Sequence, residues 1–217
     1  MPNHVQNIVG FTGSLEDLIL LKVMLKEVSP IELKSSGVQE HEFNFFNILS
    51  PDESVWDEYH GESPRNVSIE EALKFASNHW YDWNVRNWGT KWNAYDVYVS
   101  DNLDNDKVKD YTLTYEFNTA WSPPDGIIKL MPKFLSSISP NINFNWWYEE
   151  EQGWGGIYEG DSDEVMSTEE WDIPNCHADY EKRDQLDRCI CSWSDNEEDW
   201  YEDCPRSEVE KESNEQQ

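Results

Sequence analysis

From Ser68 onward the apolar residues of this chain return at increments of three and four: Ile69, Ala72, Leu73, Ala76, Trp80 and Trp83. That spacing is one face of an α-helix. Ser68-Ile69-Glu70-Glu71 supplies a capping box, in which hydroxyl and carboxylate each satisfy an otherwise orphaned backbone N–H, and Gly89 is the expected end. Past Gly89 the period switches to two. Tyr95, Val97 and Val99 alternate with polar neighbours, a charged loop follows to Asp110, and Tyr111, Leu113, Tyr115 and Phe117 alternate again. Two such runs predict an antiparallel hairpin.

The same reading extends both ways. Asn3 to Thr12 places Val5, Val9 and Phe11 on one side of a strand, interrupted by Asn7 and ended by Thr12-Gly13. Ser14 then caps a helix carrying Leu18, Leu21, Leu25 and Val28, which Pro30 stops. Gly37 to Pro64 reads as a long insertion around a short buried segment, Phe43, Phe45, Phe46 and Ile48. After Trp121-Ser122-Pro123-Pro124 comes a helix whose face is Ile127, Leu130, Met131, Phe134, Leu135 and Ile138. Pro132 lies in that face and is expected to kink or divide it, because proline removes a hydrogen bond and clashes with the preceding turn. Ile142, Phe144, Trp146 and Tyr148 alternate as a last core strand, and Gly153-Trp154-Gly155-Gly156 suggests a further turn and an edge strand through Tyr158. Strand, helix, insertion with a helix, strand, strand, helix, strand is an α+β order. It predicts the ferredoxin-like split βαβ arrangement, an antiparallel sheet with helices on one face. The expected organisation is a ferredoxin-like domain over 1–160 with an insertion at about 37–67, an acidic Trp- and Cys-containing extension over 161–206, and a disordered tail over 207–217.

The stretches Met1-Pro2-Asn3, Asn44-Phe45-Phe46-Asn47-Ile48, Trp80-Tyr81-Asp82-Trp83, Asn87-Trp88-Gly89-Thr90-Lys91-Trp92-Asn93-Ala94, Phe117-Asn118-Thr119-Ala120-Trp121-Ser122-Pro123-Pro124 and Tyr148-Glu149-Glu150-Glu151 form a set of motifs. Together they resemble the YubB-like ferredoxin-like domain family of plasmids, integrated elements and phages. The likeness spans about the first 160 residues. It implies a ferredoxin-like fold and a mobile-element origin, and it brings no catalytic residues with it. Pro132 and the acidic region after Gly160 depart from the family's pattern.

Composition changes the picture through charge. The chain has 45 acidic and 16 basic residues, net −29, a balance that repels nucleic acid and anionic membranes and steers toward basic proteins. Twelve tryptophans, ten tyrosines and eight phenylalanines nonetheless supply the surface for a packed core. Residues 149–217 hold 24 of the acids and only 5 basic residues. Between Glu159 and Cys204 the acids are interleaved with Trp171, Tyr180, Leu186, Ile190, Trp193, Trp200 and Tyr201, which is unlike a purely solvating tail. Met1 to Gly13 lacks a basic segment followed by an apolar one, so no secretory signal is expected. The reading is a protein of a host cytoplasm.

The candidate chemistry is sparse. Trp80, Trp83, Trp88, Trp92 and Trp121 are candidates for an aromatic cage or a stacking platform, and a packed junction is the preferred reading. Lys91 after Gly89-Thr90 lacks the spacing of a phosphate loop. His4, His41, His60 and His79 stand near no nucleophile in a recognisable pattern, so the chain is read as a non-enzyme, with a carboxylate-based hydrolase ranked last. Cys176, Cys189, Cys191 and Cys204 could together hold zinc, though the C-x-x-C knuckle is missing and reduced thiols are the simpler reading; otherwise no cofactor is expected. The expected function is inhibition of a host nucleic-acid-handling defence protein, of restriction or CRISPR type, through a DNA-like acidic surface. Its partner would be a protein with a basic nucleic-acid-binding face, and neither nucleic acid nor a membrane would be bound directly. The residues of that surface would be Glu149, Glu150, Glu151, Glu159, Asp161, Asp163, Glu164, Glu169, Glu170, Asp195, Glu197, Glu198, Asp199, Glu202 and Asp203. The alternative is a zinc-organised interaction module whose acidity serves only solubility.

Overall fold

A computed structural model of the chain describes residues 3–26, 41–62, 65, 67–105 and 107–173. Among them are strands β1 (His4–Gly13), β2 (Tyr95–Asp101), β3 (Tyr111–Ala120), β4 (Asn143–Glu150), β5 (Gly155–Gly160) and β6 (Val165–Trp171). The helices are α1 (Leu15–Lys26), α2 (Trp56–His60), α3 (Ile69–Asn78), α4 (Trp80–Asn87) and α5 (Asp125–Ser136). The strands form one sheet in the order β2-β3-β1-β4-β5-β6, antiparallel throughout. β1 lies between β3 and β4, so the connection from β1 to β2 skips over β3 and that from β3 to β4 skips over β1. This is the split βαβ topology expected from the sequence, an α+β ferredoxin-like sheet. Among the described residues, Asp172 and Ile173 group with Gln152–Trp154 as a separate unit.

Alternation decides which face of the sheet is covered. Val5, Asn7, Val9 and Phe11 of β1 are fully buried, as are Leu113 and Tyr115 of β3 and Trp146 of β4. Against them pack Leu18, Leu21 and Leu25 of α1 and Ile127, Ile128, Met131 and Leu135 of α5. The opposite face carries Gln6, Ile8, Thr12, Tyr98, Glu116 and Trp147, none of them buried. Asn7 breaks the apolar pattern without leaving the core. Its amide donates to Val5 O at 2.9 Å and Thr119 Oγ1 at 3.0 Å, and its carbonyl accepts from Trp146 Nε1 at 3.1 Å.

The motifs that carry the family resemblance serve as fasteners. Asn47 Nδ2 donates to Met24 O at 2.8 Å and Asn44 N to Leu25 O at 2.8 Å, so Asn44-Phe45-Phe46-Asn47 satisfies carbonyls at the end of α1. Phe43 and Phe45, fully buried, reach the rings of Phe117, and Phe43 also reaches Tyr115 and Trp146. Asn93 clasps the same segment, accepting from Phe45 N at 2.9 Å and donating to Asn44 Oδ1 at 2.9 Å.

Three expectations need correction. The periodic run from Ile69 to Trp83 is two helices, divided at His79, whose ψ of 145° takes the chain out of helical geometry. The capping box at Ser68 forms, yet α3 buries nothing: Ile69 is 82% and Leu73 66% exposed. Amphipathicity announces a helix but not a partner, and the turn at His79 leaves only α4 to place Trp83 and Asn84 in the core. Replacing Leu73 by glutamine is therefore expected to change the unfolding free energy by less than about 0.5 kcal/mol, the surface range. A chemical denaturation curve showing a core-sized loss of about 2 kcal/mol or more would contradict the exposed placement. Second, α5 is not divided at Pro132 but runs through it as one helix, with Pro132 buried among its apolar neighbours. The core contacts on both sides of the proline outweigh the single backbone bond it forgoes. Third, the sheet does not stop at Gly160: β6 adds a further strand, ending at Trp171. Val28 and Pro30 fall outside the described residues.

Candidate functional site

Nine of the fifteen carboxylates proposed as an acidic surface lie among the described residues, and the fold separates them into two groups. Glu149 and Glu150, at the end of β4, are 8% and 3% exposed, so they do not form contact surface. Glu150 accepts from Asn3 Nδ2 at 2.7 Å, and the neighbouring Glu151 accepts from His4 N at 3.1 Å. This end of β4 therefore fastens the start of β1. The other group is on the β5–β6 hairpin, which has six acids and no lysine or arginine. Glu159, Asp163, Glu164, Glu169 and Glu170 are exposed. Asp161 is fixed in the turn, accepting from Asp163 N at 2.7 Å and Glu164 N at 3.1 Å, and these bonds hold its carboxyl below the usual range. Glu159, Asp161 and Glu164 rim a depression of about 380 Å³ on the open face of the sheet, floored by Gly10, Thr12 and Asn145. Asp195, Glu197, Glu198, Asp199, Glu202 and Asp203 lie outside the described residues, as do Cys176, Cys189, Cys191 and Cys204. Among the described residues, no group of three or more histidine, cysteine or carboxylate side chains is placed to hold a metal. No described helix is long and apolar enough to cross a membrane.

The tryptophan-centred motifs meet at one junction. Trp88, 1% exposed, sits among Phe45, Phe46 and Trp83 and donates from Nε1 to Leu49 O at 2.8 Å. Gly89 follows with φ of +86°, where a side chain would meet Asp125 N at 2.9 Å; both the conformation and the closeness call for glycine. Thr90 Oγ1 donates to Ala120 O at 2.9 Å and accepts from Ala120 N at 3.1 Å, Gly126 N donates to Trp88 O at 3.0 Å, and Ser122 Oγ donates to Gly89 O. The two motifs are thus halves of one clasp between α4, the end of β3 and the start of α5.

Beyond the clasp the aromatics face outward. Lys91 Nζ stands 4.7 Å from the centre of the Trp92 ring, 4.8 Å from Trp121 and 5.6 Å from Tyr81. Trp92 lies edge-on to Tyr95, whose hydroxyl is 2.5 Å from His4 Nδ1. Burial, with the carboxylates of Asp96 and Glu151, pushes Tyr95 up to about 12. Of the five tryptophans considered for a cage, Trp83 and Trp88 are core, as preferred, and Trp80 packs half-buried against it. Trp92 and Trp121 do line a cage, with Tyr81 as an unforeseen third wall. In the sequence Lys91 invites only a phosphate-loop comparison, which its spacing fails. Its position between Tyr81-Asp82 and Trp92 was the available signal, and it takes the fold to bring Trp121 alongside.

A second perturbed group is Asp125, in the first turn of α5. Burial raises its carboxyl, Tyr158 hydrogen-bonds it, and Lys129 offsets part of the effect. Tyr148 and Tyr158, stacked at 5.9 Å, are raised by burial and by the charges of Asp125 and Glu170. This cluster ties α5 to β4, β5 and β6.

Residues 88–190, just under half of the chain, match the family model described as the ferredoxin-like domain in Api92-like protein. The chain carries a ferredoxin-like domain. Within the described residues the match begins at the Trp88 clasp and takes in β2 to β6 of that domain, while β1 and α1, which complete the ferredoxin-like sheet, precede it. No curated protein and no solved structure matches the chain.

Proposed function

We propose that this chain is a phage or mobile-element inhibitor whose ferredoxin-like domain presents fixed carboxylates to the basic nucleic-acid-binding face of a host defence protein. The observation that carries this reading is the β5–β6 hairpin, where Glu159, Asp163, Glu164, Glu169 and Glu170 are exposed on paired strands and Asp161 is locked into the turn between them. Pairing of the two strands holds these carboxylates at set spacings, successive residues pointing to opposite faces of the hairpin. Held in place, they offer a lysine- and arginine-lined groove a substitute for phosphates without the ordering cost of a free tail. The resemblance to a mobile-element family supplies the setting, and binding rather than catalysis is the proposed activity.

Immobilised full-length chain is expected to retain a purified basic host nuclease or restriction subunit at low salt and to release it to duplex DNA or to higher salt. The variant carrying Glu159→Gln, Asp163→Asn, Glu164→Gln, Glu169→Gln and Glu170→Gln is expected to lose most of that retention, at least ten-fold. Retention that is indifferent to DNA, or unchanged in the neutralised variant, would falsify the hairpin as the binding surface.

A further inference from the structure

The cage around Lys91 is built from three separate parts of the fold: Tyr81 on α4, Trp92 in the junction and Trp121 past the end of β3. None of the three rings is there to fill the core, since they are 36%, 37% and 42% exposed. Trp121 also sits at φ of +73°, a conformation a bulky residue rarely adopts, and it is held there by its N–H donating to Asn3 O at 2.9 Å. The backbone of Lys91 is fixed as well, its carbonyl accepting from Asn84 Nδ2 at 2.9 Å. The strained wall and the three converging ring faces make a place for a cation. A lysine ammonium is a poor match for it, being compact and strongly hydrated on a flexible four-carbon stem. An alkylated ammonium gives up less hydration and covers more of the ring surface.

We infer that the Tyr81–Trp92–Trp121 cage is a recognition site for an alkylammonium group, such as that of a methylated lysine or of choline, and that Lys91 is its resident and displaceable occupant. The surroundings favour a cationic ligand. Asp96 and Glu151 act on Tyr95 beside Trp92, and the chain as a whole carries −29. The site needs nothing from the acidic hairpin and stands whether or not that surface binds a partner.

The test uses the full chain and tetramethylammonium chloride at constant ionic strength, read through the indole N–H resonances of Trp92 and Trp121. In Lys91→Gln the cage is vacated. If the tethered ammonium fills it nine-tenths of the time, tetramethylammonium binds the variant about ten-fold more tightly than the wild type. The wild type shows the same shifts at correspondingly higher concentration, so the experiment does not depend on the variant folding. Adding Trp121→Ala to Lys91→Gln abolishes them. A trimethyllysine peptide and choline, titrated in turn, compete for the same resonances, and the tighter of the two assigns the source. Absence of indole shifts in both wild type and Lys91→Gln, no gain in affinity on removing Lys91, or equal binding after Trp121→Ala overturns the inference.

Discussion

Trp88→Ala is expected to lower the unfolding free energy by about 3–5 kcal/mol, the range for truncating a fully buried large aromatic. The side chain is 1% exposed and its ring meets Phe46 at 4.9 Å, Phe45 at 5.6 Å and Trp83 at 5.8 Å, so its loss empties a volume walled by the insertion on one side and α4 on the other. It also strands the Leu49 carbonyl, which accepts its indole N–H. Collapse into the space is restricted from behind, because Gly89 and Gly126 already bring backbones together as closely as they can come. Trp88→Phe keeps much of the volume but not the hydrogen bond, and is expected to cost roughly 1–3 kcal/mol. The measurement is a denaturant midpoint at unchanged slope. A loss below 1 kcal/mol for alanine would mean that the junction does not join the insertion to the sheet.

How far the chain can be read without its structure follows from which signals are local. β1, β3, β4 and α5 were legible because each alternates or repeats with a face that the core then uses: Val9, Tyr115 and Trp146 stand opposite one another in register. The helix at Ser68 was legible as a helix and illegible as a surface element. Periodicity in Ile69, Ala72 and Leu73 reports the helix, whereas burial depends on what the fold brings to that side. α2 was missed because its core residues, Trp56 and Tyr59, are flanked by acids and by turns in an insertion with no sustained period. β6 was missed because Met166, Thr168 and Glu170 alternate with residues as exposed as themselves, so an edge strand leaves no hydrophobic record.

The same distinction governs the candidate sites. Acidity is countable in a sequence, and the hairpin acids from Glu159 to Glu170 were found by counting. Burial is not countable, which is why Glu149 and Glu150 were grouped with them although both are buried and Glu150 holds Asn3 at the start of β1. The Lys91 cage lies at the other limit. Its walls at 81, 92 and 121 are separated by eleven and then by nearly thirty residues, and the clasp between Trp88-Gly89-Thr90 and Ala120 to Gly126 brings the last of them beside the first two.

Asn7→Leu is expected to destabilise the protein by about 2–4 kcal/mol although it completes the apolar alternation of β1. Leucine keeps asparagine's branched skeleton but carries two bulkier methyls, so overpacking adds to the cost of the lost polar partners. The amide of Asn7 is fully buried between β3 and β4, taking the Trp146 indole N–H and giving to Val5 O and Thr119 Oγ1. Thr119 keeps a partner, since its hydroxyl donates to Ser122 O at 2.9 Å, but the indole N–H of a fully buried Trp146 is left with none. Asn7→Asp separates the two halves of this argument. The carboxylate still accepts from Trp146, but it cannot donate to Val5 O and carries a buried charge, so burial raises its pKa above the unfolded value. A group raised in this way contributes stability that is present below the unfolded pKa and lost as pH rises through the folded one. The aspartate variant is therefore expected to lie below the leucine variant near pH 7 and to recover relative to it on acidification. Equal denaturation midpoints for Asn7→Leu and wild type would show that Trp146 finds another acceptor, and a pH-independent gap between the two variants would show that the position admits water.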